Sequence, residues 1–478
     1  MTRKIVIEPV SRVEGHGKVT IHLDDQGDVI DAKFHVTQVR GFEKFCEGRM
    51  FWEMPVITTR ICGICPVSHH LASAKACDAI LGVEIPPTAK KLRQLMHMGQ
   101  FIQSHALHFF HLASPDILFG MDADPAKRNV MGIIAEQPEI AKKAVMLRSF
   151  GQTVIEKLGG KKIHPNGAVP GGVNAALSPQ DRDELLKQVD WVIAGLTLGL
   201  DIIKDYYQKM GEEIASFASF ASGYLGLIDE KGNLEIYDGT LRLKDSKGFI
   251  LEEKVDPKDY LSIIAERVED WSYLKFPYYK KMGYPAGIYR VGPLGRLNVA
   301  DGITTPLANE EFNKFRKLSS NGMVEGSMYF HYARLIEALY AAEKAKSLLE
   351  DDSICSQEIL TSPSTHYNEQ GVGVLEAPRG TLIHHYWVDS SGKISKVNLI
   401  VATGNNNAAM NRAVYQVARK YISSGKLSEG VLNRVEAAIR CYDPCLSCST
   451  HALGQMPLLV QLVSPQGEVV DEVKRNPL

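Results

Sequence analysis

Two Cys-x-x-Cys pairs, Cys62-Gly63-Ile64-Cys65 and Cys445-Leu446-Ser447-Cys448, stand 383 positions apart in a chain of 478 residues. A two-residue spacing points both sulfurs of a pair the same way, so each pair can bite one metal and two pairs make a four-thiolate site. On spacing alone a structural zinc site is the commonest owner of such pairs, followed by an iron–sulfur cluster and a reactive dithiol. A zinc ribbon, however, is a local staple closed over about twenty residues. Pairs at opposite ends of a long chain suit a buried centre where two halves meet. The spacing disfavours zinc and does not name the metal.

The other four cysteines, Cys46, Cys77, Cys355 and Cys441, are unpaired by spacing and read as small buried apolar residues. Eight cysteines are too few for a disulfide scaffold at this length. The formal net charge of −2 gives no basic field for nucleic acid or anionic lipid. The N-terminus lacks the apolar core of a secretory signal. The best apolar run, Trp191 to Leu200, is closed by Asp190 and Asp201 and is too short to span a bilayer. A soluble, cytoplasmic protein with no membrane span is expected.

Residues 4–8, 17–23 and 29–36 alternate like strands, with Asp24-Asp25-Gln26-Gly27 as a turn. From about Pro66 to Phe220 the period is helical. Pro87-Thr88 opens a long helix that buries Leu92, Leu95, Met96, Ile102, Leu107 and Phe110. A polar, strand-like insertion follows at 226–248, then a helix at 325–349, three strands from Gly371 to Thr403, helices at 407–423 and 428–440, and a hairpin at 457–473. No repeat, linker or boundary divides the chain. The expectation is one interlocked α+β domain over 1–478, mainly a bundle of long helices with small peripheral sheets.

Five motifs in order then resemble a known family, the large subunits of nickel–iron hydrogenases. They are Ser11-Arg12-Val13-Glu14-Gly15-His16, Arg40-Gly41-Phe42-Glu43, Arg60-Ile61-Cys62-Gly63-Ile64-Cys65 with His69, Glu376-Ala377-Pro378-Arg379-Gly380, and Asp443-Pro444-Cys445 through His451. Segments such as WSYLKFPYYK, YRVGPLGRLNV and ATGNNN look closest to the cytoplasmic, bidirectional, nicotinamide-linked branch.

The resemblance implies a nickel–iron centre whose iron carries carbon monoxide and cyanide. Cys62 and Cys445 would be terminal nickel ligands, and Cys65 and Cys448 would bridge to iron, soft donors suited to both metals. Arg379 and Thr403 would lie near the cyanides with Pro378 packed beside them; the family often has Pro-Ser where this chain has Ala402-Thr403. His69 would donate to a bridging sulfur. Hydrogen is an extremely weak acid, so its cleavage needs a base at close range. The Cys445 thiolate is preferred over Arg379, because a guanidinium almost never gives up its proton. Arg379 would instead be an oriented positive group held by Asp116 and Asp443. Glu14 would take the proton from Cys445. A magnesium ion would bind Glu43, the carbonyl of Leu399 and His451.

The resemblance also implies partners: an iron–sulfur small subunit, flavin and iron–sulfur diaphorase subunits linked to NAD(P), nickel-insertion factors, and a protease that removes residues 452–478. Other histidines (His70, His105, His108, His111, His384, His385) read as packed or hydrogen-bonded. Gly371-Val372-Gly373 lacks the third glycine and helix of a dinucleotide loop, so the nicotinamide should bind elsewhere. Two rivals remain at this point: a nickel-free quinone-module protein, against which all four thiols argue, and a zinc scaffold.

Overall fold

The computed structural model describes residues 3–362, 366–422 and 427–450, together with the backbone of two strands in the tail, Leu458–Val463 and Val469–Arg475. Four long helices, Pro87–Leu107, Pro138–Gly159, Pro179–Met210 and Phe330–Glu350, pack each against the next in a closed ring. Three of them begin on proline, whose fixed φ and missing N–H suit the first helical position. Ser178 caps the longest by accepting from the Asp181 N–H. The Phe330–Glu350 helix is buried around most of its circumference, so its sequence shows little amphipathic signal.

The Pro87 helix runs on through a wider π-helical segment, His108–Ala113, into the helix Ser114–Phe119. Such wide turns often mark functional regions. Here the segment puts Leu107 at the edge of the core, where it is only half-buried, not fully buried as its spacing predicts.

Small sheets surround the bundle. Arg3–Ile7, Gly17–Leu23 and Val29–Val36 form an antiparallel sheet, as the alternation predicts. The insertion is a four-stranded sheet, wider than predicted: Gly223–Ile228, Thr240–Lys244 and Ile250–Val255 run antiparallel, with Tyr289–Arg290 added parallel to the first. Gln370–Ala377, Gly380–Val388 and Ile394–Ile400 form a third sheet, with a two-residue turn at Pro378-Arg379. The tail strands pair antiparallel, which agrees with the predicted hairpin. No helix among the described residues is long and apolar enough to cross a membrane.

The helix Pro66–Leu81, which carries Cys65 at its N-cap, lies on the strand Gln370–Ala377. That contact explains the Gly371-Val372-Gly373 run. A Cβ at Gly373 would stand 1.9 Å from the Ala72 carbonyl oxygen, and one at Gly371 2.1 Å from that of Ala76. Gly373→Ala is therefore expected to lower stability by about 1–3 kcal/mol through overpacking. It should also lower metal content, because it displaces the helix that begins at Cys65. A thermal midpoint and nickel content equal to wild type would contradict this packing.

Candidate metal centre

Each sulfur pair sits on a turn that other parts of the chain hold in place. The short 3-10 helix Thr58–Ile61 ends at Cys62 in extended conformation, and Cys65 opens the next helix. Arg40 donates to the Ile61 carbonyl at 2.6 Å, and Gln100 and Gln103 both donate to that of Ile64. The backbone N–H of Ile64 points at the Cys62 sulfur, 3.2 Å away. On the other side the helix Glu429–Arg440 ends, and Asp443 takes a left-handed φ of 52° before Pro444 and Cys445. Aspartate tolerates that conformation better than most residues. The Cys445 N–H donates to the Thr403 hydroxyl oxygen at 2.9 Å.

The four sulfurs lie within 4.8 Å of one another and are buried. Cys62 and Cys445 are 3.2 Å apart, Cys65 and Cys448 3.4 Å, and Cys445 and Cys448 2.8 Å. Metal–sulfur bonds of about 2.3 Å would set tetrahedral sulfurs roughly 3.8 Å apart, so the cluster has the reach of a metal cage. Hydrogen bonds from Cys445, Cys448 and Cys65 pull the Cys62 thiol well below its ordinary range. Burial drives Cys445 and Cys448 the other way. Four such thiols cannot all ionise without a cation among them. Soft donors in this arrangement fit a nickel–iron pair.

A small cavity of about 10 Å³ lies beside the sulfurs, lined by Cys65, Cys448, His69, Arg379, Val401 and Thr403 among others. Pro378 is buried one residue before Arg379. His69 Nδ1 is 3.0 Å from His384 Nε2, and His384 Nδ1 is 2.5 Å from the Tyr386 hydroxyl. His70, His105, His108 and His385 are likewise hydrogen-bonded and packed. Cys46, Cys77 and Cys441 are buried as expected, whereas Cys355 is half-exposed.

Glu14 reaches this cluster from the far end of the chain. Its Oε2 accepts from the Cys445 thiol at 3.0 Å and from the Ser447 N–H at 3.1 Å. Its carbonyl accepts from the Leu446 N–H at 3.0 Å. Gly15, at φ 89°, permits this approach, since a Cβ there would stand 2.7 Å from that of Leu446.

Arg379 donates through Nε to the Asp443 carbonyl at 2.6 Å and through Nη2 to the Asp443 carboxylate at 3.0 Å. The second expected partner, Asp116, is not there. It binds Arg12 at 2.6 Å, Arg440 at 2.5 Å and Asn433 instead, because the π segment carries the helix end toward the N-terminal motif. Arg379's third contact is the Ser104 hydroxyl at 3.4 Å, which sequence reading missed along with Gln100 and Gln103. The available signal was a run of polar side chains (His97, Gln100, Gln103, Ser104, His105) in a helix too buried for them to be solvated.

For the second metal, Glu43 Oε1 accepts from the Leu399 N–H at 2.8 Å, so these two residues do meet. The Arg40 and Gly41 N–H groups bind the Thr450 carbonyl, which brings the chain's last fully described stretch to the same place. His451 lies outside the described residues.

A helical body that buries four thiols from both chain ends, with a carboxylate against one sulfur, defines the catalytic subunit of a redox metalloenzyme. A family profile described as nickel-dependent hydrogenase matches residues 40–144 and 228–451, and one described as HoxL-like matches 4–39. The chain is 47% identical to the NAD-reducing hydrogenase HoxS subunit beta of Cupriavidus necator, over 99% of this chain and all of that one. It is 49% identical to a component of the vhu F420-non-reducing hydrogenase of Methanocaldococcus jannaschii, over 87% of this chain and 99% of that one. A crystal structure of an NAD+-reducing [NiFe]-hydrogenase in the H2-reduced state superposes with a TM-score of 0.92 at 47% identity, covering 94% of this chain and 100% of that chain. This chain belongs to the nickel-dependent hydrogenase family. It is a nickel–iron hydrogenase large subunit, and its buried cysteine cluster accords with a nickel–iron centre.

The relocated Asp116 gives a test. Burial pushes its carboxyl up, but Arg440 and Arg12 outweigh that and hold it below the ordinary value. Its stabilisation is then present above about pH 4 and lost as pH falls through the lowered folded value. Asp116→Asn should cost about 3 kcal/mol at pH 7, since it leaves buried arginines without their partner. The gap between variant and wild type in urea midpoints should narrow below about pH 4. A gap that stays constant with pH would count against this pairing.

Proposed function

We propose that this subunit cleaves dihydrogen reversibly and heterolytically, with Cys445 as base and Glu14 as the next proton acceptor. The observation that carries the reading is the 3.0 Å contact between Cys445 Sγ and Glu14 Oε2, made inside a four-sulfur cluster. Cys62, Cys65, Cys445 and Cys448 would hold a nickel–iron centre, with Cys62 and Cys445 serving nickel alone, Cys65 and Cys448 shared with the iron, and carbon monoxide and cyanide completing the iron's ligands. When bound, that centre supplies the electrophile against which hydrogen polarises and the store for its electrons.

The chain's own residues do the rest. Cys445 Sγ takes up a proton and passes it to Glu14 Oε2 across a single hydrogen bond, and Glu14, half-exposed, releases it outward. Arg379 presents a fixed positive charge beside the sulfurs, and Asp443 fixes its plane. Thr403, His69 and Arg379, with Pro378 behind them, would face the diatomic ligands of iron. Thr403 already accepts from the Cys445 N–H, so its own proton remains free to donate in that direction. Glu43, the Leu399 carbonyl and His451 would hold a magnesium ion, which would brace the C-terminal segment. The Glu43–Leu399 contact supports that site.

Among the described residues no second cysteine cluster occurs that could hold an iron–sulfur cluster. Electrons therefore leave through an iron–sulfur small subunit towards an NAD(P)-linked diaphorase module in the cytoplasm; the NAD-reducing activity in the names of two relatives supports the link to a nicotinamide. Residues 452–478 form a propeptide that a protease removes after His451 once nickel-insertion factors have loaded the centre; the four thiols already lie together in the chain that carries this tail. The family profile's match ends at residue 451, which supports this division.

Two measurements test the proposal. The active subunit should contain nickel and iron, show infrared bands of carbon monoxide and cyanide, and have an intact mass ending at His451. Zinc alone would favour a scaffold, and an active nickel-loaded chain ending at Leu478 would remove the processing step. Glu14→Gln should keep the metals and bands but lose turnover and hydrogen–deuterium exchange by on the order of a hundredfold. Normal exchange in that variant would send the proton elsewhere.

A further inference from the structure

Arg379 sits in a turn that is locally unfavourable. Ala377 and Gly380 are paired across the hairpin, so Pro378 and Arg379 form a two-residue loop. Such loops favour turns with positive φ at the first position, because these match the twist of the strands. Proline cannot adopt positive φ, and Arg379 is not among the residues that do. The turn therefore works against the twist of its own strands and needs support from outside.

That support is Arg296, on the helix Gly292–Val299, with no solvent exposure. Its Nη1 donates to the Ala377 carbonyl at 2.8 Å and its Nη2 to the Pro378 carbonyl at 3.0 Å. The remaining donors go to carboxylates: Nε and Nη2 to Glu337 at 2.6 and 2.7 Å, and Nη1 to Glu376 at 2.7 Å. All five N–H directions of the guanidinium are used. The carboxylates are anchored in turn, since Glu337 faces His105 at 3.1 Å and Glu376 accepts from the Leu227 N–H and the Thr381 hydroxyl.

We propose that Arg296 is a positioning residue for Arg379: by clamping the Ala377 and Pro378 carbonyls it fixes the turn that aims the Arg379 guanidinium at the thiol cluster. The inference rests on the role given to Arg379 above. Arg379 is then held at both ends, its backbone by Arg296 and its tip by Asp443. A lysine at 296 keeps the charge between Glu337 and Glu376 but cannot reach two carboxylates and two carbonyls at once.

The test is a cycle of Arg296→Lys, Arg379→Lys and the double variant, with amide hydrogen exchange of the full-length chain beside it. Arg296→Lys should retain nickel and iron, lose at least tenfold in turnover, and exchange at least tenfold faster in a peptide spanning 376–382. In the Arg379→Lys background it should cost no more than twofold further, because its effect acts through Arg379. Effects that multiply in the double variant overturn the proposal, as does unchanged exchange in the turn. A fully active Arg379→Lys would overturn the reading of Arg379 itself. That outcome is distinct from slow exchange in Arg296→Lys with Arg379→Lys still impaired, which refutes Arg296 alone. Should Arg296→Lys not accumulate, Glu337→Gln loosens the same guanidinium and should give the same pattern in smaller measure. Wild-type turnover and exchange in that variant likewise overturn the proposal.

Discussion

Four sulfur atoms from turns 383 residues apart stand in near contact inside the protein, and much of the buried polar structure serves to keep them there. Short, flexible links could not hold such a cluster, because its atoms repel once ionised and water is excluded from around them. The solution is to fix each turn by its backbone. Thr403, Gln100, Gln103 and Arg40 bind main-chain groups of the two cysteine loops, and Glu14 binds the Ser447 N–H as well as the Cys445 thiol. The sulfurs are thereby placed before any metal is considered.

Arginine does most of this work. Arg93, Arg290, Arg296, Arg334 and Arg440 are among the largest fully buried side chains. Each donates to loop carbonyls, often with a carboxylate beside it: Arg334 to Cys441, Arg290 to Phe220 and Glu325, Arg93 to Val169 and Gly172. A planar fork with five donors can tie two loops together where a lysine could tie only one. Buried ion pairs contribute little net stability once desolvation is counted. Their value here is geometric, in fixing irregular backbone around the site on a frame of long helices.

What depends on local pattern is legible in the sequence. The helix start at Pro87, the three N-terminal strands and the cysteine pairs follow from short-range rules, and the motifs carry the family. Long-range partnerships are less readable. Asp116 and Arg379 both belong to recognisable segments, which suggests that they meet, yet the π segment intervenes and delivers Asp116 to Arg12 and Arg440. Ser104 and Arg296 carry no motif role, since a hydroxyl or guanidinium buried in a helix looks ordinary until its partner 275 or 80 residues away is known. The pattern of Gly371-Val372-Gly373 speaks against nucleotide binding, but the reason for the glycines, a helix lying on bare backbone, is a tertiary one.

The contact between Glu14 and Cys445 joins residues 431 positions apart. During synthesis it cannot form until Cys445 itself has left the ribosome, by which time the helical bundle has had its whole sequence available. The first thiol pair must therefore wait without its partner pair, open to oxidation, for nearly the entire time of translation. Ser11 with Glu436 and Arg12 with Asn433 belong to the same late seam. The protein is built like a locket: its hinge and shell are ready early, and the clasp, which is also the proposed proton contact, is the last piece to arrive.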